Sequence, residues 1–259
     1  YLAPFQTLSI CADSIMVVEG GTTGRPPAEE TLTVSTTDQI KSDKVSSTLP
    51  TKGALAQTAA LSGADLVGFV FVEGVRRQLD PTTGAAIINR FRNSLSEDSM
   101  PGPRVVGLFR NQPVGFVNRV VKMAALDMVQ LNGDEDDAYY EQMVVPILRQ
   151  VRVRPEMSAE DLEGIVKDHL DAGRMVLLDA YDPNTPGGSG KVFEWSKAAN
   201  VAHFEGVLLA GGLTPENVSG AISELNAWGV DVSTGVETDG DKDDVKIHDF
   251  VTAANEVAR

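Results

Sequence analysis

The feature that most constrains the fold of this chain is a series of eight short apolar runs distributed along its 259 residues. Most of these runs lack the alternation of apolar and polar residues that a strand with one solvent-exposed face shows. They therefore predict parallel strands that helices cover. The predicted strands are residues 8–11, 66–71, 105–109, 128–131, 144–148, 175–178, 206–209 and 230–232.

Helical periodicity fills the segments between several of these runs. Apolar residues recur at helical spacing over residues 82–95, 114–125, 159–170 and 214–227. Strand and helix thus alternate, which indicates βαβ units, and eight such units favour a single closed (β/α)8 TIM barrel over residues 1–259. An open, doubly wound sheet is the alternative that the pattern alone leaves.

One segment departs from this alternation. Residues 12–52 are rich in Thr, Ser, Gly and Pro and are far longer than an ordinary loop between a strand and a helix. We predict a flexible insertion after the first strand, with at most one short extended piece around residues 31–35. A disordered surface loop is the simplest interpretation, and a lid over the site or a partner-docking segment is the alternative.

Composition excludes several classes of partner. The chain has 37 acidic residues against 22 Lys and Arg and a formal charge of −15, which argues against nucleic acid and anionic membranes as partners. A single cysteine cannot support a disulfide framework, and no apolar run approaches the roughly 18 residues of a membrane span. We expect a soluble, cytoplasmic protein. The absence of an initiator Met suggests a piece of a longer polypeptide.

In such a barrel the functional side chains come from the carboxyl ends of the strands. The three histidines, His169, His203 and His248, fall away from these ends, so we predict no metal. The acidic segments 134–137 and 239–244 are expected to interact with helix N-termini or to face solvent. The residues at the predicted strand ends are Cys11, Arg76, Arg77, Arg110, Asn111, Gln112, Gln130, Asn132, Asp134, Glu135, Asp179, Gly211, Gly212, Ser233, Thr234 and Gly235.

Glycines follow two consecutive predicted strands. Gly211 and Gly212 follow the seventh strand, and Thr234 and Gly235 follow the eighth. Glycine leaves backbone N–H groups uncovered, and barrels commonly bind phosphate at these two loops. Tight turns also require glycine, which is the alternative explanation. The GGSG stretch at residues 187–190 is interpreted as a flexible active-site loop or a third group of donors.

Two side chains are candidates for proton transfer. Asp179 follows four apolar residues, and partial burial would help it to keep a proton near neutral pH. It could instead cap loop N–H groups. Cys11 ends the first predicted strand and is interpreted either as a base or as a small, inert core residue.

Five ordered blocks between residues 63 and 251 resemble the phosphoribosylanthranilate isomerase family of tryptophan biosynthesis. Barrel isomerases of histidine biosynthesis share the glycine loops but not this combination of blocks. The motifs FRNQP and LAGGLTPENV are most similar to those of fungal members, in which the domain can belong to a multifunctional polypeptide. The blocks are GADLVGFVFVEGVRRQLDP, VVGLFRNQPVGFVNRVVKMAALDMVQLNGDE, VLLDAYDPNTPGGSGKVFEWS, LLAGGLTPENVSGAI and GVDVSTGVETDGDKDDVKIHDFV.

The resemblance implies a cofactor-free Amadori rearrangement of N-(5-phosphoribosyl)anthranilate to 1-(2-carboxyphenylamino)-1-deoxyribulose 5-phosphate. It implies that Asp179 is the general acid, that Cys11 is the general base, and that Arg77 pairs with the anthranilate carboxylate. The neighbouring Arg76 is the alternative candidate for this arginine. The backbone groups implied to bind the substrate phosphate are those of Gly211, Gly212, Thr234 and Gly235.

The chain departs from the family pattern at its first block and at one later position. Ser9-Ile10-Cys11-Ala12 stands where the family usually has Lys-x-Cys-Gly, and Asn132 replaces the histidine of QLHGDE. Asp231 matches a family aspartate whose role is left open. The alternatives to an active isomerase are an idle barrel that serves as a scaffold in a tryptophan-pathway assembly, or another phosphosugar isomerase or lyase.

Overall fold

The protein has an α/β fold, and its computed structural model describes residues 6–10, 15–19, 52–97, 102–180 and 195–257. Two strands come first, β1 (Gln6–Ile10) and β2 (Ile15–Glu19). Seven parallel strands then form a curled sheet in which each strand pairs with the next along the chain. They are β3 (Leu66–Val70), β4 (Arg104–Phe109), β5 (Met128–Leu131), β6 (Ile147–Val153), β7 (Met175–Ala180), β8 (Val207–Leu209) and β9 (Gly229–Val232).

Helices cover the outer face of this sheet. They are α1 (Lys52–Ser62), α2 (Pro81–Glu97), α3 (Val114–Ala124), α4 (Asp137–Tyr140), α5 (Ala159–Asp171), α6 (Val218–Leu225) and α7 (Asp244–Val257). Short 3₁₀ turns occupy Trp195–Ala198 and Thr234–Val236, and a hairpin of β10 (Glu237–Thr238) and β11 (Asp241–Lys242) precedes α7. Within the described ranges, no helix has the length and apolar character needed to cross a membrane.

Alternation along the strands separates two buried layers. Residues such as Val129, Val151 and Leu178 pack against the helices in the larger core. Their neighbours Met128, Leu148 and Leu177 point to the opposite side and form the interior of the curled sheet. Toward the carboxyl ends of the strands this interior becomes polar, and the residues there that remain buried are Gln130, Gln150, Asp179 and Asp231.

The structure confirms most predicted strands and corrects one. The predicted strand 144–148 is wrong, because β6 runs from Ile147 to Val153. Val144 is exposed, and Pro146 has no N–H for a strand hydrogen bond, so the strand begins only after Pro146. The predicted helix 214–227 is also shorter, because residues 215–217 form a turn and α6 starts at Val218.

The first strand and the predicted insertion give a mixed result. β1 pairs in parallel with β3 at Ser9 and Leu66 and with β9 at Thr7 and Gly229. β2 runs antiparallel to β1 and β9, whereas the only extended piece expected in this segment was around residues 31–35. The run Ile-Met-Val-Val favours a strand at residues 15–18. Residues 20–51 lie outside the described part of the chain.

Candidate functional site

A cleft of about 330 Å³, a volume that includes solvent at its mouth, opens at the carboxyl ends of β7, β8 and β9. It brings together five of the seven site residues predicted from the sequence, namely Asp179 and the four residues of the glycine-containing loops. Its lining residues come from the ends of β7 and β9 and from the segments that follow β8 and β9. They are Asp179, Ala210, Gly211, Gly212, Leu213, Asp231, Val232, Ser233, Thr234 and Gly235.

The loop after β8 presents free backbone donors to this cleft. Gly211 and Gly212 have φ angles of 86° and 75°, in the left-handed region that glycine adopts without strain. Their N–H groups donate to no acceptor among the described residues. Asn217 fixes the loop, since its Oδ1 accepts from Thr214 N at 2.8 Å and its Nδ2 donates to Gly212 O at 3.0 Å. The loop is therefore held in place with its donors available to a ligand.

The loop after β9 packs directly against the loop after β8. A Cβ atom placed on Gly235 would lie 1.8 Å from the carbonyl oxygen of Leu213, so only glycine fits there. The buried Lys242 donates from Nζ to the Ser233 carbonyl at 2.6 Å and so stabilises the loop after β9. Two adjoining glycine loops of this kind can bind an anion of the size of a phosphate group through main-chain N–H groups.

Asp179 lies at the edge of the same cleft and is only 8% exposed. Gln150 on β6 donates from Nε2 to Asp179 Oδ2 at 2.8 Å. The sequence analysis missed Gln150 because it ended the fifth strand at Leu148. The alternation of polar and apolar residues from Gln150 to Val153 was the signal that could have found it.

Arg77 lies outside the cleft and is held by the hairpin that follows β9. Its Nη2 is 2.7 Å from Glu237 Oε1 and 3.0 Å from the Gly240 carbonyl oxygen, to which it donates. Lys52 at the start of α1 donates to the Arg77 carbonyl at 2.8 Å. The Arg77 side chain is 17% exposed against 61% for Arg76, so Arg77 is the more firmly placed of the two arginines.

The acidic segment 134–137 was expected to interact with a helix N-terminus or to face solvent, and Glu135 does neither. Asp136 does cap α4, because its side chain accepts from Tyr139 N. Glu135 is buried instead, accepts from Asn111 N and Gly133 N at 2.8 and 2.9 Å, and pairs with Arg149 at 3.1 Å. It therefore joins the loops after β4 and β5.

Two titratable groups outside the cleft have raised pKa values. Burial raises the pKa of Asp65 to about 7, and this residue directly precedes β3, at the opposite end of the sheet. Burial and the nearby Glu135 raise the pKa of Tyr139 to about 12. Among the described residues, no group of three or more His, Cys, Asp or Glu side chains could hold a metal ion. Cys11 lies outside the described residues.

Fold and cleft together define a class, that of α/β proteins that bind a phosphorylated small molecule between glycine loops at the carboxyl ends of parallel strands. The family model for N-(5'phosphoribosyl)anthranilate (PRA) isomerase matches residues 55–253. The N-(5'-phosphoribosyl)anthranilate isomerase of Roseiflexus sp. (strain RS-1) is 39% identical over 204 residues, 79% of this chain and 93% of the relative. That of Acetivibrio thermocellus is 40% identical over 200 residues, 73% and 85% of the two chains. The chain belongs to the PRA isomerase family.

Solved structures agree with this assignment. The crystal structure of phosphoribosyl anthranilate isomerase from Thermotoga maritima matches with a TM-score of 0.65 and 31% identity, covering 78% of this chain and 93% of that one. A structure of the isomerase with reduced 1-(o-carboxyphenylamino)-1-deoxyribulose 5-phosphate matches with a TM-score of 0.62 and 29% identity, covering 78% and 92%. Both sequence relatives named above are bacterial, so they lend no support to the fungal likeness.

Proposed function

We propose that this protein is an active PRA isomerase of tryptophan biosynthesis and that its substrate is N-(5'-phosphoribosyl)anthranilate. The observation that carries the proposal is the convergence of a buried carboxylate, Asp179, with two adjoining glycine loops in one cleft of a chain from this family. The product is 1-(2-carboxyphenylamino)-1-deoxyribulose 5-phosphate. The reaction is an internal redox change between C1 and C2 of the sugar and needs no external oxidant.

The first step belongs to Asp179. Its carboxylic acid proton passes to the ring oxygen of the ribose, the bond between C1 and that oxygen breaks, and the nitrogen lone pair forms a C=N bond to C1. Burial of Asp179 supports this role, because a largely desolvated carboxyl group keeps its proton more readily than an exposed one. The open-chain product of this step is a Schiff base.

The second step is assigned to Cys11. As a thiolate it removes the proton from C2, the electrons of that C–H bond form a C=C bond, and the C=N electrons return to nitrogen. The resulting enol-amine then becomes the ketone, as the hydroxyl group on C2 loses its proton and C1 gains one. Cys11 follows β1 in the sequence, and we propose that β1 is the eighth parallel strand of a (β/α)8 barrel, which its pairing with β3 and β9 supports.

The two ends of the substrate have separate binding sites in this proposal. The phosphate is bound by backbone N–H groups of Gly211, Gly212, Thr234 and Gly235. The anthranilate carboxylate is bound by Arg77, which here contacts Glu237. A guanidinium group has five N–H donors, so Arg77 can keep Glu237 as a partner and still bind a second carboxylate.

Loss of substrate fluorescence measures the conversion directly. We expect turnover by the unmodified protein and a decrease in kcat of about 10²- to 10⁴-fold in Asp179→Asn, which cannot donate the proton. Cys11→Ser should likewise almost abolish turnover. Asp65→Asn is the matched control, since Asp65 is a largely buried carboxylate at the opposite end of the sheet, and its kcat should stay unchanged. An unmodified protein without turnover would favour the idle scaffold instead.

Three further expectations remain predictions. They are a cytoplasmic location, covalent linkage to other tryptophan-pathway domains, and flexibility of the predicted insertion 12–52 outside β2. Immunoblotting of fractionated cells of the source organism would test the first two together, because a fused chain would migrate well above 27.6 kDa in the soluble fraction.

A further inference from the structure

Two glutamines occupy the polar end of the sheet interior and differ in one respect. Gln130 on β5 and Gln150 on β6 are 2% and 5% exposed. Gln130 donates from Nε2 to Asn132 Oδ1 at 2.9 Å, whereas Gln150 donates from Nε2 to Asp179 Oδ2 at 2.8 Å. The two glutamines thus donate to different partners, and only the partner of Gln150 is the proposed acid.

The amide of Gln150 is not a favourable choice for packing alone. Its Oε1 atom is buried and has no hydrogen-bond partner among the described residues. A buried carbonyl oxygen without a partner loses its hydration and gains nothing in return. Leu148, two residues earlier on the same strand, fills the interior without a polar atom. The contact with Asp179 is therefore the interaction that the amide contributes.

We propose that Gln150 is a positioning residue for proton transfer by Asp179, an inference that rests on the proposed function. The N–H donated to Oδ2 at 2.8 Å restricts the rotation of the carboxyl group, which lines the cleft where the acid proton is transferred. When that proton passes to the ribose ring oxygen, the negative charge left on the carboxylate is shared with Oδ2. The amide hydrogen bond strengthens as this charge develops and so stabilises the transition state.

Two charged side chains belong to neighbouring positions of the same sheet end. Arg152 is its register partner on β6 and donates from Nη2 to the Asn132 carbonyl at 2.9 Å. Asp231 on β9 lines the same cleft. The positive charge of Arg152 favours the carboxylate and the negative charge of Asp231 disfavours it. Gln150 differs from both because it has no charge, so its effect must come from the direction of one hydrogen bond.

Replacement by leucine removes this hydrogen bond and keeps similar volume. In Gln150→Leu we expect kcat to fall about 10- to 100-fold, the usual effect of a lost hydrogen bond to a charged group, with KM nearly unchanged. We also expect the alkaline limb of the kcat profile to move to higher pH by about one unit. The direction follows because a carboxylate that has lost a donor holds its proton to higher pH.

Gln130→Leu is the matched control, because it removes a buried glutamine of the same interior whose described partner is Asn132. Its alkaline limb should stay where it is in the unmodified enzyme. Gln150→Met repeats the test with an unbranched side chain if the leucine variant does not fold. Far-ultraviolet circular dichroism and thermal unfolding establish folding for each variant.

The outcomes separate this inference from the proposed function. An unmodified protein without turnover would overturn both. Turnover that disappears in Asp179→Asn, together with an unmoved alkaline limb in a folded Gln150→Leu, would overturn the positioning role alone. Failure of both Gln150 variants to fold, with Gln130→Leu folded, would assign Gln150 to the stability of the sheet and would also overturn it.

Discussion

Two regions at the carboxyl ends of the strands are built in different ways. The glycine loops, residues 210–213 and 233–235, present main-chain N–H groups, and their shape depends on glycine φ angles and on a close backbone contact. The arginine cluster is formed by side chains of opposite charge, namely Arg76, Arg77, Glu237 and Lys242. In the glycine loops, an added side-chain atom at Gly235 would collide with the neighbouring backbone. In the arginine cluster, the affinity for an anion depends on the balance of positive and negative side chains.

The arginine cluster places three cationic groups around one carboxylate. Glu237 is the shared carboxylate of three cationic groups, at 2.7 Å from Arg77, 3.5 Å from Arg76 and 3.6 Å from Lys242. Lys242 also donates to Ser233 and so links the cluster to the second glycine loop. A change at one region can reach the other through this lysine, and the predictions below separate the two regions by the kind of change that each tolerates.

The largest effect outside the acid and the base is expected for Gly235→Ala. The new methyl group cannot fit 1.8 Å from Leu213 O, so one of the two glycine loops must move. We expect a loss of about 1–3 kcal/mol in the free energy of unfolding, as for other overpacked sites, and a higher KM from misplaced phosphate donors. Urea unfolding and steady-state kinetics measure the two effects.

Gly220→Ala is the control for this substitution. Gly220 lies within α6, and no atom lies within 4 Å of a Cβ placed there. An alanine there should stabilise the protein by about 0.5–1 kcal/mol, because glycine is unfavourable inside a helix. A Gly235→Ala variant as stable and as active as Gly220→Ala would contradict the close packing of the two loops.

A smaller and purely electrostatic effect is expected in the arginine cluster. Arg77→Ala should lower kcat/KM about 10- to 100-fold, since a hydrogen bond to a charged substrate group contributes about 1.5–3 kcal/mol, and should leave stability to urea nearly unchanged. Arg76→Ala, whose side chain is 61% exposed, is the control and should change kcat/KM much less. Equal losses in the two variants would mean that the substrate carboxylate does not distinguish the neighbouring arginines.

These two regions also differ in how far the sequence predicts them. Residues 211–212 and 234–235 come just after buried strands, so their positions in the sequence were enough to predict that they lie at the same end of the sheet. The structure brings them together in one cleft. Arg77 was placed on the same side, but its partner Glu237 lies 160 residues away in the sequence. Spacing does not reveal a long-range ion pair, because charge pairing has no periodicity.

The wrong bounds predicted for β6 show, within one strand, that sequence pattern does not reveal partners distant in the sequence. Apolar residues before Pro146 suggested a strand, but hydrogen bonding in the sheet requires N–H groups that proline lacks. The true strand carries Arg149 and Gln150, polar residues that lie beyond the predicted strand 144–148. Their burial depends on partners supplied by other elements, Glu135 for Arg149 and Asp179 for Gln150, so it follows from the tertiary structure.

The smallest expected effect concerns the joint between the hairpin and α7. Thr238 Oγ1 donates to Asp243 Oδ2 at 2.7 Å, and the N–H groups of Val245 and Lys246 donate to Oδ1 at 3.0 and 3.2 Å. The Thr238 hydrogen bond, followed by the Lys246 N–H, lowers the pKa of Asp243 below its usual value. Because the folded protein favours the carboxylate, its stabilising effect is present above the unfolded-state pKa of 3.8 and is lost as the pH falls through the lower folded-state value.

We therefore expect Asp243→Ala to cost about 0.5–2 kcal/mol at pH 7, as for other capping residues, and the difference from the unmodified protein to shrink at acidic pH. Thermal unfolding of both proteins across this pH range measures it. Asp244→Ala is the control, because its carboxylate accepts from the adjacent Val245 N–H at 3.0 Å and should matter less. A difference that persists unchanged at the lowest pH would show that Asp243 stabilises the joint through packing, in the manner of the glycine loops, and not through its charge.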